Sequence, residues 1–589
     1  VKIHFFANIF AQVPIFAENI PTNMEQSTYQ LSRAQISRAS IQRLYISMRH
    51  LLFRGSYKPL GVSGESMISA MLSLRPEIYG SISDQERVEL DGLIYVFQRL
   101  PKGIEQCRYI KLVSREGYEK GNFERHVPPR RVRNCYRIDE EQMLIEMTRG
   151  GSDIYDILTH LTFLYIEAEK IRRNALDLKG RKNRSWLMLE KLVQDIARGE
   201  EVRVDLGFSY LNTLLGRTFG EVAYAFERFE QSAEVNDLFS VVYWLGKLSM
   251  DEFLDNVDRE ITFSPALRES LGHHLYGEKW ATNIKKTLYD NDLINRPLHI
   301  ISANLHSVMN AIYAKATLEA EGRFEGLEQA AEMLSQKENA AWRKAVESYA
   351  LENGMIKISD TSGTNIGVQI FDLARIAPES LPEELLWRPR PGELAPVIVL
   401  MDYAFGEQAY ETMDELLKPY IFDNRRAELK IHSVNIMGKA GILEGNKGDI
   451  MIPTAHVFEG TADNYPVDNQ LSAADFEGRG LGVYEGTMIT VLGTSLQNKD
   501  ILTYFLKSSW RAVGLEMEGA HYQKAIQAAS KIRNSVAPNL QLRYAYYASD
   551  NPLETGATLA SGSLGLDGVK PTYLITVEIL KGILLGHTN

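Results

Sequence analysis

Beyond residue 396 the chain changes grammar, and that change limits the fold more than any other feature of its 589 residues. Short apolar runs of strand type, Val397–Met401 (VIVLM), Lys430–Met437 (KIHSVNIM), Thr487–Val491 (TMITV), Ala512–Leu515 and Leu542–Ala548, alternate with helix-type runs such as Ala409–Leu417 and Pro571–Leu585. Gly448-Asp449-Ile450-Met451-Ile452-Pro453 leads into another strand. Such alternation predicts an α/β domain: a mixed, largely parallel sheet covered by helices on both faces. Just before it, residues 376–396 hold prolines at 378, 382, 389, 391 and 396, a quarter of the chain's 20. Clustered prolines mark an extended connector, so the main boundary is expected there. The expected organisation is an N-terminal extension (1–24), a mainly α-helical region (25–375, with a break near 175–205), the connector (376–396) and the α/β domain (397–589). Val1–Ala17 is apolar with one lysine and reads as a weak secretory-signal pattern or as an extension upstream of Met24.

Four features of the helical region carry alternatives. Gln26–Leu52 has apolar residues at helical spacing with Arg33, Arg38, Arg43 and Arg49 between them, which read as a solvated face. Arg125–Arg137 (RHVPPRRVRNCYR) is basic and broken by two prolines, a surface loop before it is a phosphate contact. His160 and Glu167 share one helix face; a satisfied interior histidine is favoured over a metal pair. Arg296–Tyr313 interleaves His299, Ser302, Asn304, His306 and Asn310 with apolar residues. Those polar groups must be met by an internal network or by a ligand.

Composition narrows the function classes. A net charge of −11 argues against a general nucleic-acid binder. Two cysteines, Cys107 and Cys135, cannot staple a chain of this size and fit a reducing cytoplasm. No zinc-type Cys/His spacing occurs, and no apolar run reaches the roughly 18 residues of a membrane span. Neither a metal nor a cofactor is expected.

The chemistry concentrates at Val513-Gly514-Leu515-Glu516-Met517-Glu518-Gly519-Ala520, an apolar strand entering two acids and then a helix. A second strand delivers Ser549-Asp550 at its C-terminal end, the edge where α/β sheets bind ligands. Acids at such turns are costly to desolvate and so have a partner or a task.

Gly438-x-Ala440-Gly441, Gly448-Asp449-Ile450, Glu516-Met517-Glu518-Gly519-Ala520 and Ser549-Asp550 stand in the order used by the nucleoside phosphorylase/nucleosidase superfamily, which residues 395–589 resemble. Ser549-Asp550-Asn551-Pro552-Leu553 is similar to the Ser-Asp-Lys-Pro-Leu of AMP nucleosidases. The resemblance implies cleavage of a ribosyl N-glycosidic bond through an oxocarbenium-like transition state. Glu518 would then accept from the ribose hydroxyls, above a floor made by Met517. Asp550 would protonate the leaving base, which requires burial to raise its pKa. Glu407 would hold the attacking water. Glu516, Ser549, Gly438 and Lys439 complete the implied substrate contacts. The superfamily's phosphate-binding arginine is replaced here by Ile436, which favours water over phosphate as nucleophile. No aromatic stands near Thr494–Gln497 to stack on a base. The implied partner is a small nucleoside or nucleotide, with AMP leading, bound by a cytoplasmic homo-oligomer without nucleic acid or membrane. A second reading makes the domain a nucleotide-sensing or assembly module without turnover, leaving the main task to the helical half.

Overall fold

The computed structural model describes residues 31–231, 236–385, 387, 392–461, 463–555 and 564–585. The extension expected at 1–24 lies outside them. Helix α1 (Arg33–Arg54) starts at a capping box, Ser32 with Gln35, and stops at Gly55 in the left-handed region. Helix α2 (Gly150–Ala175) is buried along almost its whole length, with Asp153 in its first turn and Arg172 and Arg173 in its last, matching the helix dipole.

The N-terminal half is not purely helical. Six strands form a sheet in the order Ser56–Tyr57, Glu260–Phe263, Tyr109–Val113, Gln142–Glu146, Cys135–Arg137, Glu124–His126. These strands run two to five residues, too short to print a periodicity on the sequence. Within residues 81–100, only Leu90–Phe97 forms an α-helix.

The second sheet has ten strands: β1 (Leu298–Ser302), β2 (Met355–Ile358), β3 (Val368–Asp372), β4 (Val397–Met401), β5 (Ile431–Ile442), β6 (Ile450–Phe458), β7 (Asn464–Pro466), β8 (Val483–Thr490), β9 (Ala512–Glu516) and β10 (Gln541–Asp550). Their order is β7-β6-β8-β9-β5-β1-β4-β3-β2, and β10 bridges β5 and β6. The ring β6-β8-β9-β5-β10 therefore closes into a five-stranded barrel, with β1, β4, β3 and β2 as a flange. Parallel pairs join β1 to β4 and β5, β5 to β10, and β8 to β6 and β9. Every residue of β1, β4 and β9 is buried, as expected of strands covered on both faces.

The expected boundary at 376–396 does not divide this sheet. β1, β2 and β3 precede the prolines, and β1 lies between β4 and β5 with both neighbours parallel. The α/β unit accordingly reaches back to about Leu298. Around the sheet lie α3 (Leu305–Glu319), α4 (Gln408–Leu416), α5 (Gly519–Gln527) and α6 (Val569–Leu584).

The two halves share one apolar core. Ile41, Met48 and Tyr155 from the N-terminal helices belong to the same buried cluster as Val457, Ile489, Leu515 and Met517 of the barrel. Polar contacts reinforce it: the Glu77 amide donates to the Gln497 carbonyl at 3.1 Å, and Asn498 Nδ2 to the Leu74 carbonyl at 3.0 Å. The Thr494–Gln497 stretch is thus buried against the N-terminal half.

The arginines of α1 are not simply solvated. Arg33 donates to the carbonyls of Ser73 (2.7 Å) and Leu74 (3.0 Å) and pairs with Asp500. Arg38 lies over Tyr504 and Phe505. Nor is Arg125–Arg137 a plain surface loop, because Arg131 and Arg133 turn inward onto Asp153 and Asp156 of α2. His160 is an interior histidine, 2.8 Å from the Tyr79 hydroxyl, while Glu167 binds Lys170 at 2.8 Å. The 296–313 stretch is an internal network: His299 Nδ1 lies 2.8 Å from Ser433 Oγ, Ser302 Oγ 3.0 Å from Tyr522, and Asn310 donates to Tyr573 at 2.9 Å. Asn304 caps α3. Cys107 and Cys135 are both free and buried.

Candidate active site

Strand β9 runs into α5 through Glu516-Met517-Glu518, and the local geometry explains the residue types. Glu516 accepts from Thr490 Oγ1 at 2.5 Å, from the Glu518 amide at 2.5 Å and from the Gly519 amide. Those contacts fix the turn, so Glu516 is a structural acid rather than the substrate contact expected. Gly519 is required because a Cβ there would run into the His456 ring. With Glu516 locked, the following acid, Glu518, is left to the loop between β4 and α4.

Glu518 Oε1 accepts from the Gly406 amide at 2.8 Å. Gly406 sits between β4 and α4 with φ +56°, and a Cβ there would strike Ser152 Oγ. Met517 reaches the same loop: its methyl lies 3.6 Å from where that Cβ would stand. Burial pushes Glu518 up to about 8, the Glu516 charge adds to the shift, and the Gly406 amide and Arg149 pull it back. Glu518, Met517 and the Gly406-Glu407 loop are therefore brought together.

Glu407 opens α4, its amide donating to Ser152 Oγ at 2.8 Å. Burial raises its pKa, while Arg49, Lys524 and a hydrogen bond with Tyr155 oppose the rise. It lines a cavity of about 1020 Å³ between the two halves, together with Tyr155, Glu411, Glu459, His521 and Lys524. Glu518 and Asp550 are not among that cavity's lining residues.

Gly438 and Asp550 are placed by strand register. Gly438 pairs with Tyr546, and an added Cβ would lie 3.7 Å from Tyr403 and 3.8 Å from Tyr546. Three residues on, Gly441 is flanked by Leu515 of β9 and Asp550 of β10. The acid turn and Asp550 thus both lie beside the C-terminal part of β5, on strands about 10 Å apart that run in opposite directions. Ser549 Oγ lies 2.6 Å from Asp550 Oδ1 and 3.1 Å from the Ala440 carbonyl oxygen. Lys439 is not gathered in. Alternation turns it onto the face opposite Gly438, the side of Met437 and Thr576 of α6, where it is exposed.

Three contributors escaped the sequence reading. Ser152 and Arg149 come from the start of α2, and Phe405 from the β4–α4 loop. The guanidinium of Arg149 lies 4.3 Å from the centre of the Phe405 ring. The signal was present as Arg149-Gly150-Gly151-Ser152, a cation and two small residues opening a helix. For a metal, among the described residues only His274, Asp414 and Glu415 cluster suitably. Arg533 and Lys418 already pair with those two carboxylates.

The cavity acids make stability depend on pH. Burial, reinforced by Glu407, pushes Glu411 up to about 8, and burial also lifts Glu459 to about 8 against the Leu492 amide and Arg38. Between the ordinary 4.5 and about 8 the folded chain binds more protons than the unfolded chain, so these groups lower stability as pH rises. Glu411→Gln is expected to flatten that decline. Urea midpoints at pH 5 and pH 8 would read it, and an unchanged difference between them would refute the assignment.

A barrel closed by β10, a flange that includes β1, and acids on both strands beside the C-terminal part of β5 define the class: an α/β fold with a carboxylate-bearing strand-edge site. The chain belongs to a family of unknown function, DUF6909, whose model matches residues 65–227 and 330–585. No curated protein matches it. Among solved structures it is similar to 5′-methylthioadenosine/S-adenosylhomocysteine nucleosidase of Campylobacter jejuni, at 11% identity and TM-score 0.29, over 49% of this chain and 98% of that one. A futalosine hydrolase mutant of Helicobacter pylori gives 12% and 0.29, over 48% and 98%. AMP nucleosidase of Bacteroides thetaiotaomicron gives 14% and 0.27, over 52% and 98%. None of the described helices is long and apolar enough to cross a membrane.

Proposed function

We propose that this site hydrolyses the N-glycosidic bond of a purine nucleoside or nucleotide. The observation that carries the reading is the turn itself: Glu516 is spent on backbone amides, which leaves Glu518 on the Gly406 amide and Met517 beside it at the barrel edge. In the reaction, water attacks C1′ of the ribose and the bond from C1′ to the base nitrogen breaks. Glu518 holds the ribose hydroxyls, Asp550 passes a proton to the departing base, and Glu407 orients the water. Tyr403, 38% exposed and close to Gly438 and Tyr546, supplies the aromatic surface that 494–497 lacks. The reading carries with it a small-molecule ligand, a homo-oligomer and no cofactor.

The test is a screen of nucleosides and nucleotides for liberated base, with and without phosphate in the buffer. Base release in phosphate-free buffer is expected; release only on adding phosphate would make the enzyme a phosphorylase.

One observation favours the second reading. The cavity of about 1020 Å³ is walled by both halves of the chain, a place where ligand occupancy could report between them. A sensor of that kind would bind adenine nucleotides in calorimetry without turning them over.

A further inference from the structure

The start of α2 presents an arginine, Arg149, that has no hydrogen bond or ion pair among the described residues. Asp153 and Asp156 are the only carboxylates in its first two turns. Both are taken: Arg131 pairs with Asp156 at 2.9 Å, and Arg133 with Asp153 at 2.8 Å and Asp156 at 2.6 Å. Arg99 is held too, donating to the Tyr95 carbonyl at 2.8 Å with its guanidinium over the Tyr95 ring. Arg149 is the fourth guanidinium of the group. Among the described residues no hydrogen bond or ion pair holds it, and it rests half-buried on Phe405.

Its position is specific. Phe405 directly precedes Gly406, whose amide binds Glu518. The Arg149 charge is felt by the Glu518 carboxyl. Four guanidinium groups face the carboxyls of Asp153, Asp156 and Glu518, a local surplus of positive charge in a chain of net charge −11. A planar, half-desolvated guanidinium with free donors suits a two-pronged oxyanion. Stacking on an aromatic ring orients it at little cost.

We infer that Arg149 anchors a phosphate dianion in the Glu518 site, so that the N-terminal half supplies the anion subsite absent from β5. This rests on the nucleoside reading above for what else the site holds. The dianion has two sources, the 5′-phosphate of a nucleotide and free inorganic phosphate, and the assay separates them.

Calorimetry on the full chain would titrate AMP, adenosine and inorganic phosphate into wild type, Arg149→Met and Arg149→Lys. The methionine variant keeps an apolar stem over Phe405; equal melting temperatures would show that it folds. If the 5′-phosphate is the ligand, wild type prefers AMP over adenosine, and Arg149→Met cuts that preference about 10- to 100-fold, with Arg149→Lys between. If free phosphate is the ligand, its own binding is lost in Arg149→Met while AMP and adenosine stay level. An unchanged preference together with unchanged phosphate binding overturns the inference, as does the absence of AMP and phosphate binding in wild type. Phosphate binding that depends on Arg149, with no nucleoside bound or cleaved, keeps the anion subsite and sinks the nucleoside reading instead. Adenosine cleaved with no response to Arg149 does the reverse.

Discussion

Asp550→Asn is expected to slow base release about 10²- to 10⁴-fold, the range associated with losing a positioned general acid. Asparagine keeps the shape and can still accept from Ser549, which lies 2.6 Å from Asp550 Oδ1, but it has no proton to give the base. Binding should therefore survive, and the loss should fall on kcat with KM little changed. A substrate whose base leaves without protonation should lose far less in the same variant. If kcat falls by less than tenfold with every substrate, Asp550 is a structural end to β10 and the proton comes from elsewhere.

The second large effect concerns stability. Arg133 is fully buried and pairs with both Asp153 and Asp156. Burial pushes the Asp156 carboxyl up, but the charges of Arg131, His160 and Arg133 outweigh it and hold that carboxyl well below the usual range. Arg133→Met removes the only cation that pairs with Asp153 among the described residues and leaves that acid buried, which costs about 3–5 kcal/mol. Urea unfolding would show a lower midpoint at unchanged slope. The sign with pH is definite. A depressed carboxyl adds stability above about pH 3.8 that is lost as pH falls, so the penalty of the variant should shrink in acid. A loss below about 1 kcal/mol at neutral pH would mean that water already screens the pair.

Much of the α/β half was legible because its signals are local. Val397–Met401 and Ala512–Leu515 are continuous runs without a polar side chain, and the acids after the second stand where strand meets helix. The same locality hid β1. Its polar residues, His299 and Ser302, are met by Ser433 and Tyr522, far along the chain, so the sequence alone left an internal network and a ligand site both open and did not show a central strand. Arg131 and Arg133 misled in the same way, since their acids lie some twenty residues downstream on another element. Glu516 and Glu518 look equivalent in sequence. Only the turn shows that one serves the backbone and the other faces the loop.

The position of β1 also constrains how the molecule is made. Leu298–Ser302 leaves the ribosome well before Val397–Met401 and Ile431–Ile442, the two strands that flank it. At ordinary elongation rates the first of those follows after about 5–20 s. Until then a strand that ends fully buried has both edges open, and such exposed edges invite pairing with other chains. The helical half, although synthesised first, shares its core with the barrel and so stays unfinished through the same interval. Nascent chains stalled before Ile442 should be the form that depends most on chaperones.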